Sequence, residues 1–364
     1  MLIDIETASP PYKILQSKAA EELKKRMAGR PAISRMIDSA ANHSAIESRY
    51  IVVPDANDAA ENKFYSKDGI YYVPDTKTRM IEYEKWSKEL TKSAVSRLFE
   101  SNNLNPEEIN NLITISCTGF FAPGLDYHLI NEFKIKSNVK RTNIGFMGCA
   151  ASVVGFNYVL DILNSRIMEK KNVLLISVEL CSLHLQTEPT RDNILANMIF
   201  ADGCAAALFS NYNHDNSKVK LKLISADSVL FGDSEKYMGW KIGNFGFEMM
   251  LSSDLPKIIK EKAVPALNKI LNEKNISPDS VKYWALHPGG RAILDALQEG
   301  LLLSDEKLIP SRNILSNYGN MSSASILFVL KEIIDKGNIS KGDYCCVVAF
   351  GPGLTMEVAL LKGE

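Results

Sequence analysis

Three residues in separate motifs carry side chains that could act together in acyl-transfer chemistry. The first, Cys149, lies in the small-residue turn Gly-Cys-Ala-Ala-Ser, directly before an apolar helical pattern that starts at Val153. Backbone N–H groups at a helix start are unpaired and partially positive, so we expect the pKa of this thiol to lie below its free value of about 8.5. The sequence thus predicts a nucleophile at Cys149. The alternative is a small residue needed only for packing, which suits Cys204 in Ala-Asp-Gly-Cys-Ala-Ala-Ala.

The other two residues could handle protons and negative charge. His287 ends an apolar strand pattern and is followed by Pro-Gly-Gly, a position suited to acid–base work or to charge stabilisation. A structural histidine is the alternative at this position. Asn320 lies in Tyr-Gly-Asn-Met-Ser-Ser and offers an N–H donor without adding charge. An ordinary helix N-cap is the alternative for this asparagine.

The spacing of these motifs predicts two similar halves. The cysteine turn and the asparagine turn are 171 residues apart, and the same offset places the strand pattern Val173–Val178 on Tyr344–Ala349. The strands that precede the two turns, ending at Cys117 and His287, align within one residue. Any two strand–helix–strand stretches can be aligned by eye, so chance is the alternative to duplication.

The elements that must position these residues alternate between strands and helices, which predicts an α/β architecture. Helical patterns cover Lys18–Met27, Tyr83–Glu100, Asp254–Asn272, Arg291–Glu299 and Ser322–Lys336. Strand patterns cover Leu112–Cys117, Val173–Val178, Leu221–Ser225, Val281–Leu286 and Tyr344–Phe350. We expect Asp55–Thr78 to be a loop and the polar stretch Asn211–Ser217 to be a linker, which gives an N-terminal half at 1–215 and a C-terminal half at 216–364.

Composition excludes several classes of function. The chain has 364 residues with 42 basic and 43 acidic side chains, so no excess of positive charge suggests nucleic-acid binding. No apolar run approaches the ~20 residues of a membrane span, and the first residues lack the pattern of a signal peptide. The six cysteines form no C-x-x-C pair, so no zinc or redox motif is predicted and a cytoplasmic protein with free thiols is expected.

Together the motifs resemble those of type III polyketide synthases, the chalcone-synthase-like branch of the thiolase superfamily. The resemblance rests on Gly-Cys at 148–149, Leu-His-Pro-Gly-Gly at 286–290, Tyr-Gly-Asn-Met-Ser-Ser at 318–323 and Phe-Gly-Pro-Gly-Leu at 350–354. It covers the chain from about Asn111 to the end, and more loosely two short stretches before it. The resemblance implies an α/β thiolase-like layered αβαβα fold built from two duplicated halves, and a homodimer.

The resemblance also implies a mechanism. Cys149 would carry the acyl starter in a thiolate–imidazolium pair with His287. Malonyl-CoA would then lose carbon dioxide, and His287 and Asn320 would stabilise the enolate. Acyl-CoA and malonyl-CoA would be substrates, and no metal or other cofactor would be needed.

Further positions carry over from the family as substrate-binding residues. Phe200 matches a gatekeeping phenylalanine that lies between the CoA tunnel and the cavity in the family; an aromatic residue that only packs in the core is the alternative. Met249 stands where the plant enzymes have a second gatekeeping phenylalanine. Ala122 stands where plant enzymes have a methionine that reaches into the partner subunit, so alanine would leave space. The remaining cavity positions are Cys117, His184, Ser322, Gly351, Pro352 and Gly353. The stretch Glu179–His184 resembles microbial enzymes that make alkylpyrones or alkylresorcinols from medium or long acyl chains.

One family feature is not reproduced. The positions of the basic trio that binds CoA read Met36, Ser39 and His43 here. Arg35 or Arg291 could substitute, although either could equally be a solvated surface charge. Two other functions stay open: a single-round ketoacyl synthase that uses an acyl carrier protein, and a non-catalytic acyl-CoA binder.

Overall fold

The computed structural model describes residues 1–27, 30–56, 63–67, 69–165, 170–214 and 221–364. Within these ranges the strands are β1 (Leu2–Ala8), β2 (Tyr12–Leu15), β3 (Ser48–Ile51), β4 (Ser66–Lys67), β5 (Ile70–Tyr71), β6 (Ile109–Ser116), β7 (Lys140–Gly145), β8 (Asn172–Leu180), β9 (Asp202–Ser210), β10 (Leu221–Leu230), β11 (Met238–Gly243), β12 (Gly246–Leu251), β13 (Val281–Leu286), β14 (Tyr344–Gly351) and β15 (Thr355–Gly363).

The helices in the same ranges are α1 (Gln16–Arg26), α2 (Pro31–Asn42), α3 (Thr76–Asn102), α4 (Leu125–Phe133), α5 (Ala151–Asn164), α6 (Arg191–Ile199), α7 (Leu255–Ile258), α8 (Val264–Glu273), α9 (Arg291–Leu301), α10 (Asp305–Tyr318) and α11 (Ser325–Lys336). A π-helical segment at Ile259–Ala263 joins α7 to α8, so the single helix expected over Asp254–Asn272 is interrupted. No helix in the described ranges is long and apolar enough to cross a membrane.

The loop expected over Asp55–Thr78 is partly wrong. It contains the short pair β4–β5, and α3 already begins at Thr76. The Asp75 carboxylate accepts a hydrogen bond from the backbone N–H of Thr78 at 2.8 Å and so caps the helix. The helix then runs for 27 residues, because its buried side chains continue to recur along the face that packs on the sheet.

A single mixed sheet of nine strands organises the part of the chain that the structure describes. Its order is β13-β14-β15-β10-β1-β9-β8-β6-β7. From the centre outward, β1-β9-β8-β6 on one side mirrors β10-β15-β14-β13 on the other. In both series the first two pairings are antiparallel and the last is parallel. This repeated pairing is the topology that duplication of a half predicts.

Buried side chains form three clusters that define five layers. One cluster joins α1–α4 to one face of the N-terminal strands, and another joins α7–α10 to one face of the C-terminal strands. The third cluster contains α5 and α11 together with residues from the strands of both halves. The strands of the two halves, which are joined in one sheet by the single β1–β10 pairing of Leu2 with Leu221, form the two sheet layers. The order helix, sheet, helix, sheet, helix confirms the predicted αβαβα fold. The predicted boundary between 215 and 216 lies outside the described residues, so the division into 1–215 and 216–364 stays a prediction.

We expect Phe156→Ala to destabilise the protein strongly, because this side chain lies in the central helix layer. Its exposed fraction is 0%, and its ring meets Phe209 edge to face with centroids 5.2 Å apart. Removing such a ring typically costs about 3–5 kcal/mol of unfolding free energy. Tyr158→Ala on the same helix, where the side chain is 49% exposed, is the control and should cost less than about 0.5 kcal/mol. Urea unfolding followed by circular dichroism tests this, and equal losses in the two variants would contradict the layer assignment.

Candidate active site

The turn that carries Cys149 is shaped by glycine and by a second loop packed against it. Gly148 has φ +60°, and a Cβ at this position would lie 2.4 Å from Cδ of Pro352. A Cβ at Gly351 would lie 2.6 Å from the carbonyl oxygen of Met147. The Gly-Pro-Gly loop therefore closes on the cysteine turn from the other half of the molecule, and only glycine allows the approach.

Backbone pairing between the halves places Asn320 beside Phe200. The N–H of Asn320 donates to Ile199 at 3.0 Å, and its carbonyl accepts from Ala201 at 2.8 Å. The side-chain oxygen of Asn320 accepts from the backbone N–H of Ser322 at 2.8 Å, while Nδ2 donates to Gly289 at 3.3 Å. Because these bonds fix the orientation of the amide, the second hydrogen on Nδ2 is available to a substrate oxygen.

His287 follows directly after β13 with a buried ring. Its backbone N–H donates to Val348 at 2.9 Å, but neither Nδ1 nor Nε2 has a hydrogen-bond partner within the described ranges. Burial lowers the pKa of His287 to about 3, so the ring is neutral. Buried ring nitrogens without partners are rare in folded proteins, and they indicate a group that binds or exchanges protons during function.

The expected lowering of the Cys149 pKa is wrong. Burial raises the pKa of this thiol to about 12, and hydrogen bonds from Ser322 and Asn320 offset only part of that effect. The position at a helix start is as predicted, but loss of water outweighs the partial charge of the backbone. The Cys149 thiol and the His287 imidazole are therefore both neutral in the folded site. A thiolate and an imidazolium can form there only together, by transfer of the thiol proton to the imidazole.

A buried acid beneath the site was missed by sequence reasoning. Glu179 on β8 accepts from Thr118 Oγ1 at 2.8 Å and from the backbone N–H of Cys117 at 3.0 Å, and the hydroxyl of Ser323 also donates to it. Burial raises its pKa. Glu179 thus ties the end of β6 to the asparagine turn of the other half. The available signal was an acidic residue inside an otherwise apolar strand.

Three cavities meet around these residues. The largest, the outer tunnel, has about 450 Å³ and contains Cys149, His287 and Asn320 at its inner end. A pocket of only about 20 Å³ lies beside Cys149, and an inner cavity of about 100 Å³ lies beyond it. Of the predicted cavity residues, Phe200 and Met249 line all three spaces. Cys117, Ser322 and Pro352 line the small pocket.

The mouth of the outer tunnel is positively charged. Arg191, which sequence reasoning missed, lines it together with Arg291 and His43, and none of the lining residues is an aspartate or glutamate. Met36 and Ser39 also line the tunnel. The helix α2, which carries these two positions of the family's CoA-binding trio, therefore forms part of the tunnel wall. The Arg35 side chain is exposed on the same helix and lines none of the three cavities, which argues against its predicted role.

The remaining predicted cavity residues lie in different surroundings. Ala122 is exposed before Pro123 and lines none of the three cavities of the single chain. Its expected place is in the pocket of the partner subunit, so this assignment stays a prediction. His184 lines the inner cavity, but both ring nitrogens are already engaged. Nδ1 accepts from the N–H of Phe247 at 3.0 Å and Nε2 donates to the carbonyl of Thr118 at 2.7 Å. Gly351 and Gly353 line none of these spaces; Gly351 shapes the cysteine turn.

The family models and the curated relative that match this chain all belong to the chalcone synthase and type III polyketide synthase group. Residues 222–363 match the C-terminal domain of chalcone and stilbene synthases, and residues 39–238 match the FAE1/type III polyketide synthase-like proteins. A putative chalcone synthase of Bacillus subtilis (strain 168) is 31% identical over 100% of this chain and 98% of the relative.

Solved structures show the same likeness. The enzyme PKS-I of the brown alga Ectocarpus siliculosus superposes with a TM-score of 0.92 at 31% identity, covering 100% of this chain and 98% of that one. The 1,3,6,8-tetrahydroxynaphthalene synthase of Streptomyces coelicolor A3(2) gives 0.88 at 26% identity, covering 100% and 99%.

The buried His184 makes stability depend on pH. Burial lowers its pKa from 6.5 to about 3, so below pH 6.5 the unfolded chain binds a proton that the folded chain excludes. Stability is therefore lost as the pH falls from about 6.5 towards 3, by up to ~1.4 kcal/mol per pH unit. The free energy of unfolding between pH 7 and 4.5 should fall less steeply in His184→Gln than in the wild type. The exposed His43→Gln is the control, and parallel slopes for wild type and His184→Gln would refute the assignment.

Proposed function

The chain belongs to the type III polyketide synthase family of acyl-transferring condensing enzymes, and we propose that it extends an acyl starter on Cys149 with malonyl-CoA units. The observation that carries this proposal is the convergence of Cys149, His287 and Asn320 at the inner end of one tunnel. Each residue comes from a different motif. Both ring nitrogens of His287 and one hydrogen on Nδ2 of Asn320 are available to a substrate.

Loading of the starter begins with the two neutral groups. The Cys149 sulfur attacks the thioester carbon of acyl-CoA while the imidazole of His287 takes the thiol proton. Creating both charges together gives an ion pair, which a dry site tolerates better than either charge alone. The carbon–sulfur bond to CoA then breaks, and the leaving CoA thiolate takes the proton back from His287. The product is an acyl thioester on Cys149.

Decarboxylation of malonyl-CoA uses the other two side chains. As carbon dioxide leaves, its bonding electrons form an enolate whose negative charge rests on the thioester oxygen. His287 and the free hydrogen on Nδ2 of Asn320 donate to this oxygen. The amide orientation set by Ser322 and Gly289 means that Asn320 needs no rearrangement for this task.

Condensation completes the cycle. The carbanion attacks the acyl thioester on Cys149, and the backbone N–H of Cys149 at the helix start stabilises the resulting oxyanion. The bond between the acyl carbon and the Cys149 sulfur breaks, the sulfur leaves as a thiolate that takes up a proton from solvent, and the acyl chain, longer by two carbons, is released on CoA. Transfer of this product back to Cys149 allows another round.

The charged tunnel mouth suits the phosphates of CoA. Arg191 forms no ion pair with any residue that the structure describes, whereas Arg291 pairs with Asp295 at 3.3 Å. We assign the main phosphate contact to Arg191 and a secondary one to Arg291, which lies at the first position of α9 in the tunnel wall. Together they would replace the basic trio that this chain lacks.

We propose a medium- or long-chain fatty acyl-CoA as the starter and an alkylpyrone or alkylresorcinol as the product. The apolar side chains around the site support this choice, among them Met249, Leu255 and Ile259 in the tunnel. The pocket of about 20 Å³ beside Cys149 favours a second candidate, a short starter with a compact aromatic product, as the name of the Streptomyces relative suggests. Mass spectrometry of products from a series of acyl-CoA starters separates the two candidates. A single ketoacyl product formed only with a carrier protein would instead indicate the one-round synthase.

The assembly and location of the protein are also proposals. We propose a homodimer, as is typical of the family, in which the exposed loop around Ala122 faces the partner. Exposed Phe120 stacks on Phe146 next to that loop, with ring centroids 5.1 Å apart, and such a patch suits an interface. A cytoplasmic location agrees with the six free cysteines.

The roles of the three residues can be separated by two variants. Cys149→Ala should form no polyketide but still release carbon dioxide from malonyl-CoA, because decarboxylation does not use the thiol. Asn320→Ala should slow carbon dioxide release by about 10²–10³-fold, because one enolate donor is lost. Radiolabelled carbon dioxide and product mass spectrometry measure both activities. Polyketide formation by Cys149→Ala would overturn the mechanism, and absence of decarboxylation in the wild type would favour a non-catalytic binder.

Arg191→Ala should raise KM for malonyl-CoA about ten-fold with little change in kcat, since phosphate binding is the same in ground and transition states. The matched substrate is a malonyl thioester of N-acetylcysteamine, which has no phosphate and should show no difference between variant and wild type. Arg35→Ala is the matched control at an arginine outside the tunnel. An equal loss with both thioesters would show that Arg191 acts on the fold and has no role in phosphate binding.

A further inference from the structure

The Gly-Pro-Gly loop, which closes on the cysteine turn, is itself held by another segment of the C-terminal half. The last residue pair between β14 and β15 is Gly351 with Thr355, so the backbone groups of residues 352–354 lie beyond the strand ladder. Buried backbone groups of this kind need other partners. The segment 231–234, which follows β10, supplies them. The backbone N–H of Phe231 donates to the carbonyl oxygen of Leu354 at 3.0 Å.

Ser234 completes this support with its side chain. Its hydroxyl oxygen accepts a hydrogen bond from the backbone N–H of Leu354. Its hydroxyl hydrogen lies within reach of two carbonyl oxygens, that of Gly353 at 2.7 Å and that of Phe231. Ser234 is 1% exposed, so these contacts are shielded from water. One short side chain thus satisfies both a donor and an acceptor of the loop, which an alanine could not do.

The Gly-Pro-Gly loop connects Ser234 to Cys149. Pro352 contacts the glycine that precedes the nucleophile, since a Cβ at Gly148 would lie 2.4 Å from the Pro352 Cδ. Pro352, Gly148 and Cys149 also line the same small pocket. A shift of the loop therefore changes the surroundings of the nucleophile directly.

The other two side chains of the site are fixed independently of this loop. The backbone of Asn320 pairs with the segment from Ile199 to Ala201, and the backbone N–H of His287 donates to Val348. A change at Ser234 should therefore disturb the cysteine turn and leave the two donors to the enolate in place.

We propose that Ser234 is a positioning residue for acyl transfer, which acts through the Gly-Pro-Gly loop to fix the cysteine turn that carries Cys149. This inference rests on the proposed function. Loading and condensation use the sulfur and the backbone N–H of Cys149, whereas decarboxylation uses His287 and Asn320. A displacement of 1 Å can slow a reaction by about 10²-fold, so a loosened turn should slow the first two steps.

The ratio of two activities tests this role. Ser234→Ala should lower the maximal rate at which acyl-CoA loads Cys149 about ten-fold, with KM for acyl-CoA unchanged. Carbon dioxide release from malonyl-CoA should stay within about two-fold of the wild type, which also shows that the variant folds. Single-turnover mass spectrometry of the acyl-enzyme and radiolabelled carbon dioxide measure the two rates.

Ser228→Ala is the matched control, because this serine lies on β10 and its hydroxyl donates to Glu357 at 2.6 Å. Both rates should stay unchanged in this variant. An equal fall of both rates in Ser234→Ala, or an unchanged loading rate, would overturn the proposal.

A double variant tests the route through the loop. Pro352→Ala should also slow loading, because it removes the contact with Gly148. If Ser234 acts through this contact, loading in the double variant should be no slower than in the slower single variant. Losses that multiply in the double variant would show that Ser234 does not act through Pro352.

Hydrogen–deuterium exchange keeps this result separate from turnover. Ser234→Ala should speed exchange about ten-fold at residues 147–151 and 352–354, with no change at residues 318–323. This local pattern would support the connection even if the wild type formed no polyketide, in which case the proposed function fails alone. Faster exchange along the whole chain, or no change at residues 147–151, would contradict the positioning role.

Discussion

The site depends on the backbone pairing between Asn320 and the segment from Ile199 to Ala201, which joins the two halves of the molecule. Two hydrogen bonds of 3.0 and 2.8 Å hold the asparagine turn of the C-terminal half against the end of α6 in the N-terminal half. Because Phe200 lies within the same pairing, Phe200 and Asn320, which both line the outer tunnel, are held at a fixed distance from each other. The close approach of Pro352 to Gly148 secures the cysteine turn in the same way.

Burial controls the charge state of the site. Cys149 and His287 are buried, and burial opposes an isolated thiolate and an isolated imidazolium alike. A reaction that creates both charges in one proton transfer, and discharges them when CoA leaves, suits such a site. Burial also strengthens a hydrogen bond to any negative charge that develops at the site, since fewer water molecules compete for it. Burial thus makes the Cys149 thiol harder to ionise, but it strengthens the interactions that stabilise a charge formed during the reaction.

The two larger cavities around the site differ in the side chains that line them. The outer tunnel has positive side chains and no lining carboxylate, which suits the phosphates of CoA. The inner cavity is lined mainly by apolar side chains, but Glu22, Arg26, Arg49 and Asp55 also line it. Phe200 and Met249 lie where these spaces meet, and the hairpin β11–β12 supplies both Met249 and Trp240. One short hairpin thus shapes the region between the nucleophile and the inner cavity.

Local sequence was enough to predict the α/β class and the repeat of 171 residues and to select Cys149, His287 and Asn320 as candidates, because glycine-rich turns and buried strands leave strong patterns over a few residues. The strand predicted at Val281–Leu286 agrees with β13, whereas β1, β9, β11, β12 and β15 were not predicted from their sequences. Tertiary structure alone decided the pKa values of Cys149 and His287, since burial is a sum over many distant neighbours. It also decided that Ala122 is exposed, that Arg191 faces the tunnel and that Trp240 stands beside Cys149. Contacts of this kind join residues far apart in the chain, so no local pattern records them.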